Sequence, residues 1–335
     1  MKRIGRLFDQ LTSRENLLAA VWRASRGNQQ HLEVQRFRMS LDERLREIVV
    51  GIELETLEFE TYREFEVRDT KTREIRAPSF RDRVIHQALI GVVGPVLELG
   101  AIHHSYACRL GRGQHAALRQ ARYWTRRGDW YGKIDVRKYY DSVDHEILRE
   151  KLSRRFREQR LLRLFDRLLA SWAVAPGKGL PIGALTSQYL ANFYLDGFDA
   201  GMKASGLCHR YMRYLDDIVV WQHEKLLPAV RECAATLLQP LRLEMKHGGE
   251  WNRASRGIPF LGFVIYPDRM RLGRSARRRL GRKYALARRE FKRGLLTERE
   301  FQETCTSLFA HAQFGDDRAW RQALLLRQPL PESLG

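Results

Sequence analysis

Tyr211-Met212-Arg213-Tyr214-Leu215-Asp216-Asp217-Ile218-Val219-Val220-Trp221 is the stretch on which the fold turns. An aromatic run, two adjacent carboxylates and a β-branched run fit two strands with the acids at the turn between them. An Asp-Asp pair is also an ordinary turn, because short polar side chains bond to their own backbone there. A second segment bears on that choice. Trp130-Tyr131-Gly132-Lys133-Ile134-Asp135-Val136 reads as another central strand and carries a further Asp at its end. Neighbouring strands bring Asp135 and Asp216 together. Clustered carboxylates raise one another's pKa, so such a group is costly unless a cation sits among them. Magnesium suits it, taking a few carboxylates together with water and phosphate oxygens, and two such ions serve in-line phosphoryl transfer.

Outward from these strands, a helix is expected from about Asp144 to Trp172. A Gly/Pro-rich loop follows between Gly177 and Ser187, then a helix from near Ser187. Towards the N-terminus, Thr12 or Ser13 offers an N-cap with Glu15 behind it. Leu57, Phe59, Tyr62 and Phe65 alternate with acids in the manner of half-buried strands, and a helix resumes after Pro78. The order implies an α+β core whose sheet is covered on one side by helices. No repeat of fixed period interrupts it.

At 335 residues and 44% apolar content the chain can bury a sizeable core, which excludes wholesale disorder. Its 60 Lys+Arg against 40 Asp+Glu give +20, an excess that calls for a polyanionic partner, nucleic acid first and an anionic membrane surface second. No apolar run is long enough to span a bilayer, and the start MKRIGRLFDQ lacks a signal-type apolar stretch, so an intracellular, cytoplasmic protein is expected. The cysteines at 108, 208, 233 and 305 form no CxxC pair and are expected to be reduced. From Arg271 to Arg293, eleven of twenty-three residues are Lys or Arg and only Glu290 is acidic. Leu280, Tyr284, Leu286 and Phe291 are spaced as the apolar side of a basic helix, a surface fit to track a nucleic-acid backbone or simply a solvated face.

Tyr214-Leu215-Asp216-Asp217 resembles the Tyr-x-Asp-Asp box of reverse transcriptases, and Lys133-Ile134-Asp135-Val136-Arg137-Lys138-Tyr139-Tyr140-Asp141 resembles their first catalytic motif. Lys71-Thr72-Arg73-Glu74-Ile75 with Pro78 and Asp82-Arg83, Ser105-Tyr106-Ala107-Cys108-Arg109 and Phe260-Leu261-Gly262-Phe263 match further blocks in order. The resemblance implies an α+β right-hand polymerase, an RNA-directed DNA polymerase with an antiparallel palm sheet backed by helices. Its parts are an N-terminal region and fingers over 1–130, a palm over 131–265 with part of 150–185 returning to the fingers, and a basic helical thumb over 266–335. Asp135, Asp216 and Asp217 then hold two Mg2+ ions, with a backbone carbonyl from Val136. Lys71 and Arg73 hold the incoming dNTP triphosphate, since Arg forks phosphate oxygens and Lys acts as a point charge. Tyr140 is either a gate against the ribose 2′-hydroxyl or a core aromatic. Asp141 is a fourth ligand or the cap of the next helix, and Arg109 a weaker phosphate contact. Leu261 and Gly262 form the primer-grip turn, and Arg277, Arg278, Arg282 and Lys283 contact the duplex.

Where most relatives carry a Gln before the loop glycine, this chain has Ile182-Gly183, followed by Ser187-Gln188. That pattern resembles reverse transcriptases of diversity-generating retroelements, bacterial or phage-encoded enzymes that copy a template-repeat RNA with errors at adenines alongside a small basic accessory protein that forms a ring. Exchanging an amide for Ile182 removes a hydrogen-bonding group beside the forming base pair. Lys246, near the place where relatives carry a Lys-Thr pair, is a candidate proton donor to pyrophosphate. Rival readings are a defence-type or retron-like reverse transcriptase and a catalytically idle nucleic-acid-binding scaffold.

Overall fold

One short sheet with two apolar faces organises the molecule. The computed structural model describes residues 3–68 and 72–327. Helices α1 (Phe8–Thr12), α2 (Arg14–Ser25), α3 (Leu32–Met39) and α4 (Leu41–Glu53) precede the hairpin β1 (Arg63–Arg68) and β2 (Thr72–Ala77). Then come α5 (Phe80–Glu98), α6 (Gln114–Thr125), β3 (Trp130–Asp135), α7 (Tyr139–Ser142), α8 (His145–Arg155), α9 (Gln159–Ala170), α10 (Leu185–Tyr194) and α11 (Asp196–Ala204). The hairpin β4 (Arg210–Tyr214) and β5 (Asp217–Trp221) leads to α12 (Leu227–Leu238), β6 (Glu250–Arg253), β7 (Ile258–Phe260), β8 (Phe263–Ile265) and β9 (Met270–Leu272). Helices α13 (Arg274–Lys292), α14 (Glu298–Ala312) and α15 (Arg318–Arg327) close the described chain.

The central sheet is antiparallel in the order β4-β5-β3-β6. Alternation along its strands sends Tyr211, Ile134, Ile218 and Val220 into a core shared with α5, α8, α10, α11 and α12. Met212, Tyr131, Val219 and Trp221 enter a second core, made with α6 and the β7-β8-β9 sheet. Each such side chain contributes about 1.5–3 kcal/mol on burial. The helices expected on one side of the sheet are α5, α8, α10, α11 and α12; the other side is covered by α6 and the β7-β8-β9 sheet, because β5 is apolar on both faces and a strand of that kind is buried on both.

Three expectations change. The stretch 54–62 is irregular, because its backbone is taken by non-strand partners: Leu57 N donates to Gly51 O (2.9 Å) and Glu60 N to Asp82 Oδ2 (2.7 Å). The single helix from Asp144 to Trp172 is two, broken where extended Phe156 bridges to Ile4 and Glu158 accepts from Leu7 N (2.7 Å). On α13 the buried stripe is Ala276, Leu280, Tyr284 and Ala287, while Leu286 is half exposed. Ser13 is the N-cap of α2, accepting from Asn16 N, and Ser79 caps α5 after Pro78. All four cysteines are free thiols.

Candidate active site

The β4–β5 connection is two residues long, Leu215 and Asp216, with Tyr214 paired to Asp217. Two-residue hairpin loops favour positive φ, usually supplied by Gly or Asn. Here Leu215 supplies it, at φ 55°, so the turn carrying Asp216 stores backbone strain. Asp135, the last residue of β3, lies directly opposite Asp217. Cross-strand partners put their side chains on one face, so Asp135 and Asp217 share a face and Asp216 stands in the loop beside them. The direct partner of Asp135 is thus Asp217 rather than Asp216.

Two ammonium groups meet these acids. Lys133 Nζ lies 3.3 Å from Asp217 Oδ1, and Lys246 Nζ lies 3.4 Å from Asp135 Oδ2. Lys133 also donates to Pro259 O (2.8 Å), tying the site to β7. Lys246 reaches Asp135 because Met245 bridges to Val136 and Arg137 N donates to Glu244 O (2.9 Å), which lays this loop along the end of β3. Burial pushes the Asp217 carboxyl up to about 7; Lys133 opposes the shift, and Asp216 and Asp135 add to it. Asp216 is also raised, by burial and by Asp135, against the pull of Arg73 and Lys133.

A magnesium-type cation fits this donor set in the kind of ligand it offers. The ligands are hard carboxylate oxygens, and Asp217 Oδ1 is buried with the Lys133 ammonium, 3.3 Å away, already supplying positive charge beside it. The carboxylates are not drawn around one point, however: no group of three or more His, Cys, Asp or Glu side chains among the described residues is disposed to hold an ion. Lysines stand at two of the carboxylates instead.

Around the acids the structure gathers several expected residues. Tyr140, half-buried in α7, lies within electrostatic reach of Asp216 and of Arg73. Burial, helped by Asp216, raises its phenol well above the ordinary value. Arg73 stands exposed on β2. The loop before α10 is fastened to that strand, since Ile182 O accepts from Arg76 N (2.7 Å). At Gly183, with φ 126°, a Cβ would meet Arg76 O at 2.7 Å, so only glycine permits the approach. Val136 is buried. Lys71 lies outside the described residues.

Other expected residues are placed elsewhere. Leu261 (φ 49°) and Gly262 (φ 83°) form the two-residue turn between β7 and β8, and Leu261 O accepts from Gln114 Nε2 (2.8 Å). Arg278, Arg282 and Lys283 are exposed on α13. Arg277 instead pairs with buried Asp317, so its charge serves packing within the helical tail. Arg109 is spent locally, donating to Ile102 O (2.7 Å) and Ser105 O (2.9 Å). The cap of α8 is Asp144, accepting from Glu146 N and Ile147 N, and Asp141 lies inside α7. Sequence reasoning missed Lys133 and Arg213. Both stand inside the quoted motifs, and a charged residue at a position whose strand neighbours are buried was the available signal.

Carboxylates at the ends of paired antiparallel strands, with lysines and an arginine around them, make this cluster the candidate active site. Residues 66–264 match the family described as Reverse transcriptase (RNA-dependent DNA polymerase), and the chain belongs to that family. Among curated proteins it is similar to Protein YkfC of Escherichia coli (strain K12), 28% identical over 140 residues, which are 38% of this chain and 37% of that protein. It is also similar to Group II intron-encoded protein LtrA of Lactococcus lactis subsp. cremoris, 24% identical over 135 residues, 38% of this chain and 22% of that one. The matches thus span well under half the length of these relatives. Among solved structures, apo telomerase from Candida tropicalis truncated from its C-terminal domain gives a TM-score of 0.47 at 13% identity, covering 62% of this chain and 53% of that one.

Proposed function

We propose that this chain is an RNA-directed DNA polymerase, and the observation that carries the reading is the register that sets Asp135 opposite Asp217 with Asp216 in the loop between. Asp135, Asp216, Asp217 and the Val136 carbonyl would hold two Mg2+ ions, with rotation of the lysine-paired carboxylates. When bound, such ions lower the pKa of the attacking hydroxyl and neutralise charge on the departing pyrophosphate. Arg73 grips the triphosphate of the dNTP, and Lys71 is assigned the same role. Tyr140 closes the site against a ribose 2′-hydroxyl. Lys246, which sits beside Asp135, supplies the proton to pyrophosphate.

Residues 1–130 serve as N-terminal region and fingers, 131–265 as palm and 266–335 as thumb. Arg274, Arg278, Arg282 and Arg289 recur at a helical spacing that sets them along one side of α13, a stripe suited to successive phosphates of an RNA–DNA duplex. Leu261 and Gly262 would lie against the primer end.

Ile182-Gly183 with Ser187-Gln188 supports the finer reading of a diversity-generating retroelement enzyme that copies a template-repeat RNA with low fidelity at adenines and works with a small basic ring-forming protein. Similarity to LtrA supports a second reading, a group II intron-like enzyme. No helix among the described residues is long and apolar enough to cross a membrane.

Incorporation of dNTPs on a primed RNA template is expected to require Mg2+ and to fall to background in Asp216→Ala. Incorporation by the variant at the wild-type rate, or none by the wild type with cognate RNA and partner present, overturns the reading. Sequencing the products against a template repeat separates the two subtypes: errors concentrated at template adenines favour the first, and a uniform low error rate the second.

A further inference from the structure

Arg213 stands two residues before the strained turn and has no part in the chemistry above. Its side chain is fully buried, and a buried guanidinium persists only where its donors are met. All five N–H groups have acceptors. Nε donates to Asp199 Oδ1 and Oδ2 (both 2.9 Å), and Nη2 to Asp199 Oδ2 (2.6 Å) and Asn192 O (3.2 Å). Nη1 donates to Asn192 Oδ1 (3.0 Å) and to Leu215 O (3.2 Å). Asp199 takes a further hydrogen bond from Tyr211, and Asn192 Nδ2 donates to Ala107 O (2.7 Å), so the brace runs from α10 and α11 to the segment beside β4.

The last acceptor matters most. Leu215 O belongs to the peptide that joins Leu215 to Asp216, and Leu215 holds a φ of 55° that a leucine seldom adopts. Strained backbone persists where the surroundings over-determine it. We infer that Arg213, braced by Asp199 and Asn192, is a positioning residue that fixes the Leu215–Asp216 peptide and thereby the direction of the Asp216 carboxylate. This rests on the reading of Asp216 as a cation ligand of the polymerase site. A lysine would keep the charge facing Asp199 but lose the planar fork that reaches Asn192 and Leu215 together.

The test compares wild type, Arg213→Lys, Asn192→Ala and Arg213→Lys/Leu215→Gly, each checked by circular dichroism and thermal melting. Three readouts follow: hydrogen exchange of the 214–217 amides without metal, Mn2+ binding by electron paramagnetic resonance, and kcat and KM for dNTP. In folded Arg213→Lys we expect faster exchange at the turn, Mn2+ bound about tenfold more weakly, and kcat lower by on the order of 10²-fold with KM for dNTP little changed. Adding Leu215→Gly, which takes positive φ freely, restores part of the loss. Folded Arg213→Lys with wild-type exchange and Mn2+ binding overturns the inference. Should that variant melt below the assay temperature, Asn192→Ala is judged by the same criteria. A wild type that binds Mn2+ and incorporates nothing counts against the polymerase reading instead, while exchange and Mn2+ binding still decide the role of Arg213.

Discussion

Ile182 is half-buried, and its carbonyl is held by the β2 backbone at Arg76 N, so the side chain is presented from a fixed loop. Under the polymerase reading an apolar group there leaves the forming base pair to be judged by shape. Ile182→Gln restores a donor and an acceptor. Misincorporation opposite template adenine is expected to fall about fivefold, the effect of roughly 1 kcal/mol from one added hydrogen bond. Sequencing of products settles it, and an unchanged error spectrum removes Ile182 from fidelity control. At this scale the sequence disclosed much: Asp135, Asp216 and Asp217 were each readable from strand patterns that end in acids. The ion pairs of Lys133 and Lys246 were not, because a side chain's partner across a sheet depends on register, and register is a long-range property.

Helix α13 divides its arginines between two tasks. Arg277 turns inward to Asp317, whose carboxylate also accepts from Leu272 N (2.6 Å), whereas Arg278 and Arg282 face water. Asp317→Ala leaves a buried N–H without its acceptor and the Arg277 guanidinium without its carboxylate, and is expected to destabilise by about 2–4 kcal/mol in denaturant unfolding. Arg278→Ala and Arg282→Ala should leave stability within about 0.5 kcal/mol. Each should weaken RNA–DNA duplex binding and lower its salt slope by about one. Unaltered salt slopes in both variants would take the duplex off this helix. The sequence showed the basic helix but misplaced Leu286, because Ala276 and Ala287, small enough to sit against the neighbouring elements, replace it on the buried side.

Across the whole molecule, buried acids give stability a pH dependence. Burial pushes the Asp196 carboxyl up to about 7 and Asp82 up to about 6. Their folded-state pKa values exceed the unfolded one, so their contribution is full below about pH 3.9 and is lost as pH rises through about 6 and 7. His86 runs the other way: burial lowers it to about 4, so its contribution is present above its ordinary range and lost as pH falls towards 4. Denaturation midpoints measured from pH 5 to 8 should decline more steeply in wild type than in Asp196→Asn. Parallel curves would show that Asp196 ionises alike in folded and unfolded chains.

Local pattern was enough for what depends on neighbours in the chain: the hairpin around Asp216-Asp217, the strand ending at Asp135, an N-cap at Thr12 or Ser13, the glycine-rich loop and the positive charge of the tail. Only the folded molecule decided what depends on distant partners. Ile4 breaks a helix at Phe156, α6 and the β7-β8-β9 sheet cover the second face, and Arg213 finds Asp199, Asn192 and Leu215 around one guanidinium. The physical reason is that periodicity tells which side of an element avoids water, whereas the neighbour that shields it is chosen by the packing of segments remote in sequence.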